Sequence, residues 1–427
     1  MGRGHMAVRV GIVLATATLI AACSSAPSES PTASTPTSSS TPGPGPSSDS
    51  PTQSPVDTAA PTLSPTLPVS SGPWQPVAPQ DAVAASQVQD VVWTGTRFIA
   101  AGTALDGAGA FLRSPDGKTW KSGASGGTNG FPERIAAGPK GVVAIGSIDG
   151  KTASWASADG IHWDYHLKVF PTAFGANDMV HVTDVISTST GWLAVGRDDV
   201  ACYADCVPAP IRALVWTSTD GLAWTRVPAQ SALRGGGMNA IAAIDGGFIA
   251  GGDADGRAAF WLSPDGLTWT RVADDPSFQS STAGDIRRVV GIAVRDGVIV
   301  AVGMEQGLGG DYAPTVTAWR SADGRTWAPA SVERAREGQV FGVAATPTGF
   351  LATGPSGDTS CLGGIWSTTD GSAWACEASD PAFEGFGPYA AAGSPTIEIA
   401  AGLTSFGCGE DECPTGFPGA IWWRPIP

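Results

Sequence analysis

One nine-residue phrase, W-x-S-x-D-G-x-x-W, returns along the C-terminal five-sixths of the chain and restricts its fold more than any other feature. Trp261-Leu-Ser-Pro-Asp-Gly-Leu-Thr-Trp269 is its clearest copy. Ser263-Pro264-Asp265-Gly266 is a turn with a mechanism. Serine suits the first position, proline already has the backbone angle of the second, and glycine takes the left-handed conformation that closes the loop. The spacing predicts a three-residue bulged loop in which Trp261 faces Trp269 directly across the hairpin. The same pairing is expected for Trp155/Trp163, Trp216/Trp224, Trp319/Trp327 and Trp366/Trp374, with Thr368 replacing the serine in the last. A sixth copy has Leu112 opposite Trp120. These residues read as core-building devices rather than as catalytic ones.

A second periodicity accompanies the first. Gly102, Gly146, Gly196, Gly252, Gly303, Gly354 and Gly402 each end an aliphatic strand-like run. Eleven residues before each stands Val91, Ile135, Val185, Ile241, Ile292, Val343 or Ala391, so the repeats number seven. Short apolar runs divided by turn signals, with no helical period, mean all-β. Only six D-G phrases exist, because the seventh repeat ends at Ala420-Ile-Trp-Trp423. Its missing last strand is found at the start, where Trp74-Gln-Pro-Val77 resembles Trp269-Thr-Arg-Val272. The expectation is a seven-bladed β-propeller whose N-terminal strand completes the last blade and removes two aggregation-prone edges.

The phrases at Ser114–Trp120, Ser263–Trp269 and Ser321–Trp327 read S-x-D-G-x-T-W. They resemble the Asp-box (BNR-type) repeats of sialidase-like propellers, one residue shorter than the usual S-x-D-x-G-x-T-W. The resemblance covers residues 74–427 as a repeat pattern. It implies that the Asp-box turns lie on the face opposite the functional one. Function then falls to the channel mouth and to the other loops, of which Arg197–Ile211, Met304–Pro314, Leu403–Phe417 and the segment Asp164–Val180 are long.

Three segments follow from composition. Residues 1–23 read as an export signal, with Arg3 and Arg9 before an apolar run too short to span a bilayer. Ile20-Ala21-Ala22-Cys23 resembles a bacterial lipobox, which implies lipidation of Cys23 and anchoring to the outer face of the cell membrane. Residues 24–72 are almost entirely Ser, Thr, Pro, Ala and Gly; such a stretch cannot bury a core and is expected to be a disordered tether reaching on the order of 40 Å. Residues 73–427 form the propeller domain, expected to be monomeric. A formal net charge of −15 argues against a nucleic-acid partner and against contact with an anionic membrane beyond the lipid anchor.

Setting Cys23 aside, Cys202, Cys206, Cys361, Cys376, Cys408 and Cys413 make an even set in an exported domain, which suggests disulfides between neighbours. Zinc is the alternative, but no C-x-x-C pair occurs. For the middle pair the expected hairpin register sets Cys376 opposite Gly364, so a bridge to Cys361 needs a backbone break at Gly363-Gly364. The acidic tip Gly409-Glu-Asp-Glu412 reads as solvated rather than as a calcium loop. His162 and His166 flank Trp163 in a strand and its exit, where their spacing carries no metal signal. No metal and no cofactor is expected.

Directly before the first three aliphatic positions stand Asp90, Arg134 and Asp184, with Arg288 and Tyr389 near the same level. They are the candidate ligand-binding residues of a channel mouth. The alternative for Asp90, Arg134 and Asp184 is an inter-blade ion network. No catalytic set is recognisable. The sialidase-like resemblance implies an arginine triad, a Tyr–Glu pair and an aspartic acid, yet Tyr389 is the only tyrosine near an inner-strand start, and Arg134-Ile135-Ala136 is the nearest approach to the family's Arg-Ile-Pro phrase. The leading expectation is a lipid-anchored, non-catalytic module that binds an envelope protein or a glycan. The alternatives are a sialidase-like glycoside hydrolase and an assembly factor for an envelope complex.

Overall fold

The computed structural model describes residues 72–426 except 85, 124–126, 128, 172–178, 200–210, 283, 308–313, 378–382, 384 and 405–417. Cys23, Cys202, Cys206, Cys408, Cys413 and the acidic tip lie outside the described residues, as do residues 1–71 and most of the four long loops.

Seven antiparallel blades of four strands follow one another. The inner strands are Ser86–Trp93, Gly130–Gly138, Met179–Ser187, Gly236–Ile244, Ile286–Arg295, Gly342–Thr346 and Gly387–Gly393. Among the described residues the helical elements are one four-residue turn, Asp81–Ala84, and the two 3-10 turns Ser231–Leu233 and Pro276–Phe278. Because strands alternate in direction, the turns between first and second strands share a face with the D-G turns, and the long loops begin and end on the other. The outer strands of blades 5 and 6, Ala328–Val332 and Ala373–Cys376, also pair with each other in parallel.

The ring closes as expected. Gln75 and Pro76 pair with Trp423 and Trp422, and Val77 N–H donates to Ile421 O at 2.8 Å. Trp74 locks this strand in place: it is buried against Phe383, and its indole N–H donates to Glu377 Oε2 at 3.0 Å. Arg424 lies 4.6 Å over the Trp74 ring and binds both Glu398 and Glu377. The clasp thus joins the N-terminal strand to blades 6 and 7. A buried arginine with two carboxylates is well satisfied here, and removing one partner would strand a charge.

The hairpins differ from the expected register by two residues. Trp261 faces Arg271, not Trp269, and Leu262 faces Thr270. Trp155 likewise faces Tyr165, Trp216 faces Arg226, Trp319 faces Pro329, Trp366 faces Cys376 and Leu112 faces Ser122. The physical reason is the aspartate. Asp265 Oδ1 accepts from Leu267 N (2.8 Å) and Thr268 N (2.7 Å), while Ser263 Oγ accepts from Gly266 N (2.8 Å). These side-chain bonds wind the whole S-P-D-G-L-T-W stretch into the loop, so the ladder resumes only at Thr270. Gly266 is left-handed, at φ 75°. Trp269 folds back and donates to Gly266 O at 3.1 Å.

The tryptophans therefore do not face each other across the hairpin; in three of the blades they grip an aromatic ring from outside their blade. Phe111 of blade 1 stacks on Trp163 at 3.7 Å and meets Trp155 edge-on at 6.3 Å. Phe260 of blade 4 stacks on Trp327 at 4.0 Å and meets Trp319 edge-on at 6.3 Å. Phe170, from the connecting segment, lies against Trp216 and Trp224. Each such contact adds about 0.5–1.5 kcal/mol beyond area burial. The hydrophobic core is accordingly a series of layers between blades.

The Cys361–Cys376 disulfide is present, with a Cα–Cα distance of 5.9 Å. Cys376 faces Trp366 rather than Gly364, by the same two-residue shift. The backbone does break at Gly363 (φ 81°) and Gly364 (φ 50°), which brings Cys361 back to its partner.

Candidate functional site

The seven glycines have a structural purpose. A Cβ on Gly102 would lie 1.9 Å from Gln87 O, and on Gly252 1.9 Å from Gly237 O. At Gly146, Gly196, Gly303, Gly354 and Gly402 the inner-strand carbonyl comes just as close, at 1.9–2.2 Å. The inner strand presses here because it bulges. Pairing passes from Val88↔Gly102 to Asp90↔Ala101, leaving Gln89 out of the ladder. Glu133, Thr183, Asn239, Val290 and Tyr389 are displaced in the same way. In blade 6, Phe341 N–H and the Gly342 register position both fall on Thr353. A bulge re-aims a side chain, and the residues at and after these bulges surround the axis.

They enclose a cavity of about 100 Å³ lined by residues of all seven blades, among them Asp90, Arg134, Asp184, Asn239, Gly291, Phe341 and Tyr389. Four of the five candidate residues thus meet in one place. Arg288 does not line it. It precedes the bulge, where pairing is still residue for residue (Arg288↔Met304), and its guanidinium runs along its own blade to Gln306 Oε1 at 3.0 Å. Asn239 and Phe341 line the cavity but are not among the sequence candidates. The signal for them was present: each stands two residues before the aliphatic position used to align the repeats.

Asp90 Oδ1 accepts from Val91 N (2.8 Å) and Oδ2 from Ile135 N of blade 2 (2.9 Å). Asp184 repeats the device between blades 3 and 4, accepting from Val185 N and Ile241 N, both at 2.8 Å. Asn239 Nδ2 donates to Val289 O of blade 5 at 2.9 Å. Arg134 crosses the axis, donating to Glu133 O (3.1 Å) and to Phe341 O of blade 6 (3.3 Å). Phe341 stacks on Tyr389 at 4.9 Å.

Burial raises the carboxyls of Asp90 and Glu133, and the Arg134 guanidinium opposes that rise. Asp184 is pushed up to about 7 by burial, against the Ile241 N–H and Arg134, with the Asp90 charge adding to the rise. Burial also raises the Tyr389 phenol. Chemically, the two aspartates act as staples between inner strands, and each already binds two backbone N–H groups. Among the described residues no group of three or more His, Cys, Asp or Glu is placed to hold a metal ion.

No curated protein matches the sequence. Solved structures of similar shape include streptogramin B lyase, at 7% identity and TM-score 0.48 over 83% of this chain and 98% of that one. The WD40 β-propeller domain of Doa1 matches at 12% identity and TM-score 0.46, over 82% and 96% of the two chains. Penicillium chrysogenum α-L-arabinanase complexed with arabinobiose matches at 12% identity and TM-score 0.44, over 81% and 94%. The model of the DUF6242 beta propeller domain matches residues 58–285, more than half of the chain, and so the chain belongs to the DUF6242 β-propeller family.

Proposed function

We propose that this chain is an exported, lipid-anchored propeller of the Asp-box type that binds a protein or a glycan at the cell envelope without catalysing a reaction. Cys23 carries the anchor, residues 24–72 are the tether, and the ring presents its long-loop face to the partner. One observation supports this reading best. The axial carboxylates are committed to holding blades together, and they do so around about 100 Å³. Sites for small molecules usually enclose about 300–1,000 Å³. A cavity this small holds a few waters or the tip of a protruding group. On this reading the binding energy comes from the loops that the blades carry on that face, where binding residues commonly sit.

A hydrolase reading draws on one feature, the Asp184 carboxyl near 7, because a proton donor works best when poised near the ambient pH. Against it, both oxygens of Asp184 are already engaged. A pull-down from detergent-solubilised membranes separates the readings. One stoichiometric protein partner supports a binding or assembly role, and glycan-array signal without turnover supports a glycan binder. Turnover of an artificial sialoside would overturn the non-catalytic reading.

A further inference from the structure

We propose that the outer strand of blade 2, Asp164–Leu167, pairs antiparallel with the same strand of a second copy of this chain to form a two-fold dimer. In propellers the outermost strands leave only short, protected edges. Here the outer strands of blades 1, 3, 4 and 7, namely Lys121–Ser122, Thr225–Arg226, Thr270–Arg271 and Gln75–Pro76, have two residues each. Those of blades 5 and 6 are longer, and they cover each other. Asp164–Leu167 is as long as the blade 6 strand but stands at the end of its sheet. All four of its side chains are exposed, including Tyr165 (44%) and Leu167 (41%).

The backbone of this strand is aimed for pairing. Lys168 N–H donates inward to Thr152 O at 2.7 Å. Alternation then turns the N–H and C=O groups of Tyr165 and Leu167 outward. Lys168 has φ 55°, so the chain turns off there and the edge ends.

The sequence Asp164-Tyr-His-Leu-Lys168 is complementary to itself when reversed about His166. Tyr165 meets the partner's Leu167, both with outward backbone groups, as a hydrogen-bonded antiparallel pair requires. Asp164 lies beside the end of the partner's strand, where the partner's Lys168 leaves it, twice by symmetry. An isologous contact of this kind closes after two copies instead of growing a fibre. A neutral or like-charged peptide would lack the charge match, so the second copy is the partner that the edge fits.

Sedimentation equilibrium of the full chain at rising concentration tests this. The wild type is expected to show a reversible monomer–dimer equilibrium. Lys168→Asp sets Asp against Asp twice and is expected to weaken dimerisation about tenfold. Adding Asp164→Lys to it restores the pairing. Leu167→Pro removes only an outward N–H, so it is expected to leave circular dichroism unchanged while abolishing the dimer. A wild type that stays monomeric at every concentration overturns the proposal. So does a dimer that survives Leu167→Pro, or a double charge swap that fails to restore what the single change lost.

Discussion

Asp184 sits where two requirements conflict. Its oxygens tie the inner strands of blades 3 and 4 together, which favours the carboxylate, yet it is enclosed beside Asp90, which favours the acid. Burial prevails and moves the carboxyl from 3.8 to about 7. Between those values the folded chain holds a proton that the unfolded chain has released. The stability linked to this group is therefore complete below about pH 4 and is lost as pH rises through about 7. Asp184→Asn cannot titrate. Urea unfolding of both proteins at several pH values should show wild-type stability falling relative to the variant by about 1.4 kcal/mol per pH unit inside that window. A difference that is flat with pH, or that grows in favour of the wild type, would contradict the assignment. The turn aspartates behave oppositely. Asp265 is held below the usual carboxylate range by the Thr268 and Leu267 N–H groups, so what it contributes is lost as pH falls.

Among the elements, the bulged inner strand decides the site. Glycine at the second strand is what lets the carbonyl two residues ahead of the bulge approach, and the bulge turns Asn239, Phe341 and Tyr389 toward the axis. Gly252→Ala would place a methyl 1.9 Å from a backbone oxygen, and no flexible side chain is there to yield. Overpacking of this kind costs about 1–3 kcal/mol, and a rigid backbone partner puts this case at the upper end. Gly342→Ala is the control, because its nearest neighbour would be Tyr389 O at an ordinary 3.5 Å. Chemical denaturation should separate the two variants clearly; equal loss would show that the bulge does not require the glycine.

The same element shows what could be read in advance. The glycine beat revealed the number of blades, and the displaced last strand revealed the closure, because both depend on spacing alone. Hairpin register was not legible. Turn propensity suggested a three-residue loop, whereas hydrogen bonds from Asp265 and Ser263 to the backbone wind Ser263–Trp269 into it and shift the register by two residues. Asp90, Arg134, Asp184 and Tyr389 were placed near the axis by counting from the aliphatic position. Arg288 failed that count, because it stands before the bulge that shifts the strand.

At the scale of the molecule, stability and placement of the mouth both depend on closure. No strand contacts most of the others directly, so each blade relies on its neighbours, and the first and last blades rely on a strand of two residues. Gln75–Pro76 would be a weak edge on its own. Trp74, Glu377, Glu398 and Arg424 make it part of the core by joining blade 6, blade 7 and the N-terminal strand. Hydrogen exchange at the Val77 amide tests this most directly, since that N–H bonds only to Ile421 O across the closing seam. If the ring is closed by the N-terminal strand, Val77 exchanges only when the propeller unfolds, as slowly as the amides of the buried strand Ile397–Leu403. Exchange at the rate of an exposed peptide, while that strand stays protected, would mean that the ring is open at its first residues.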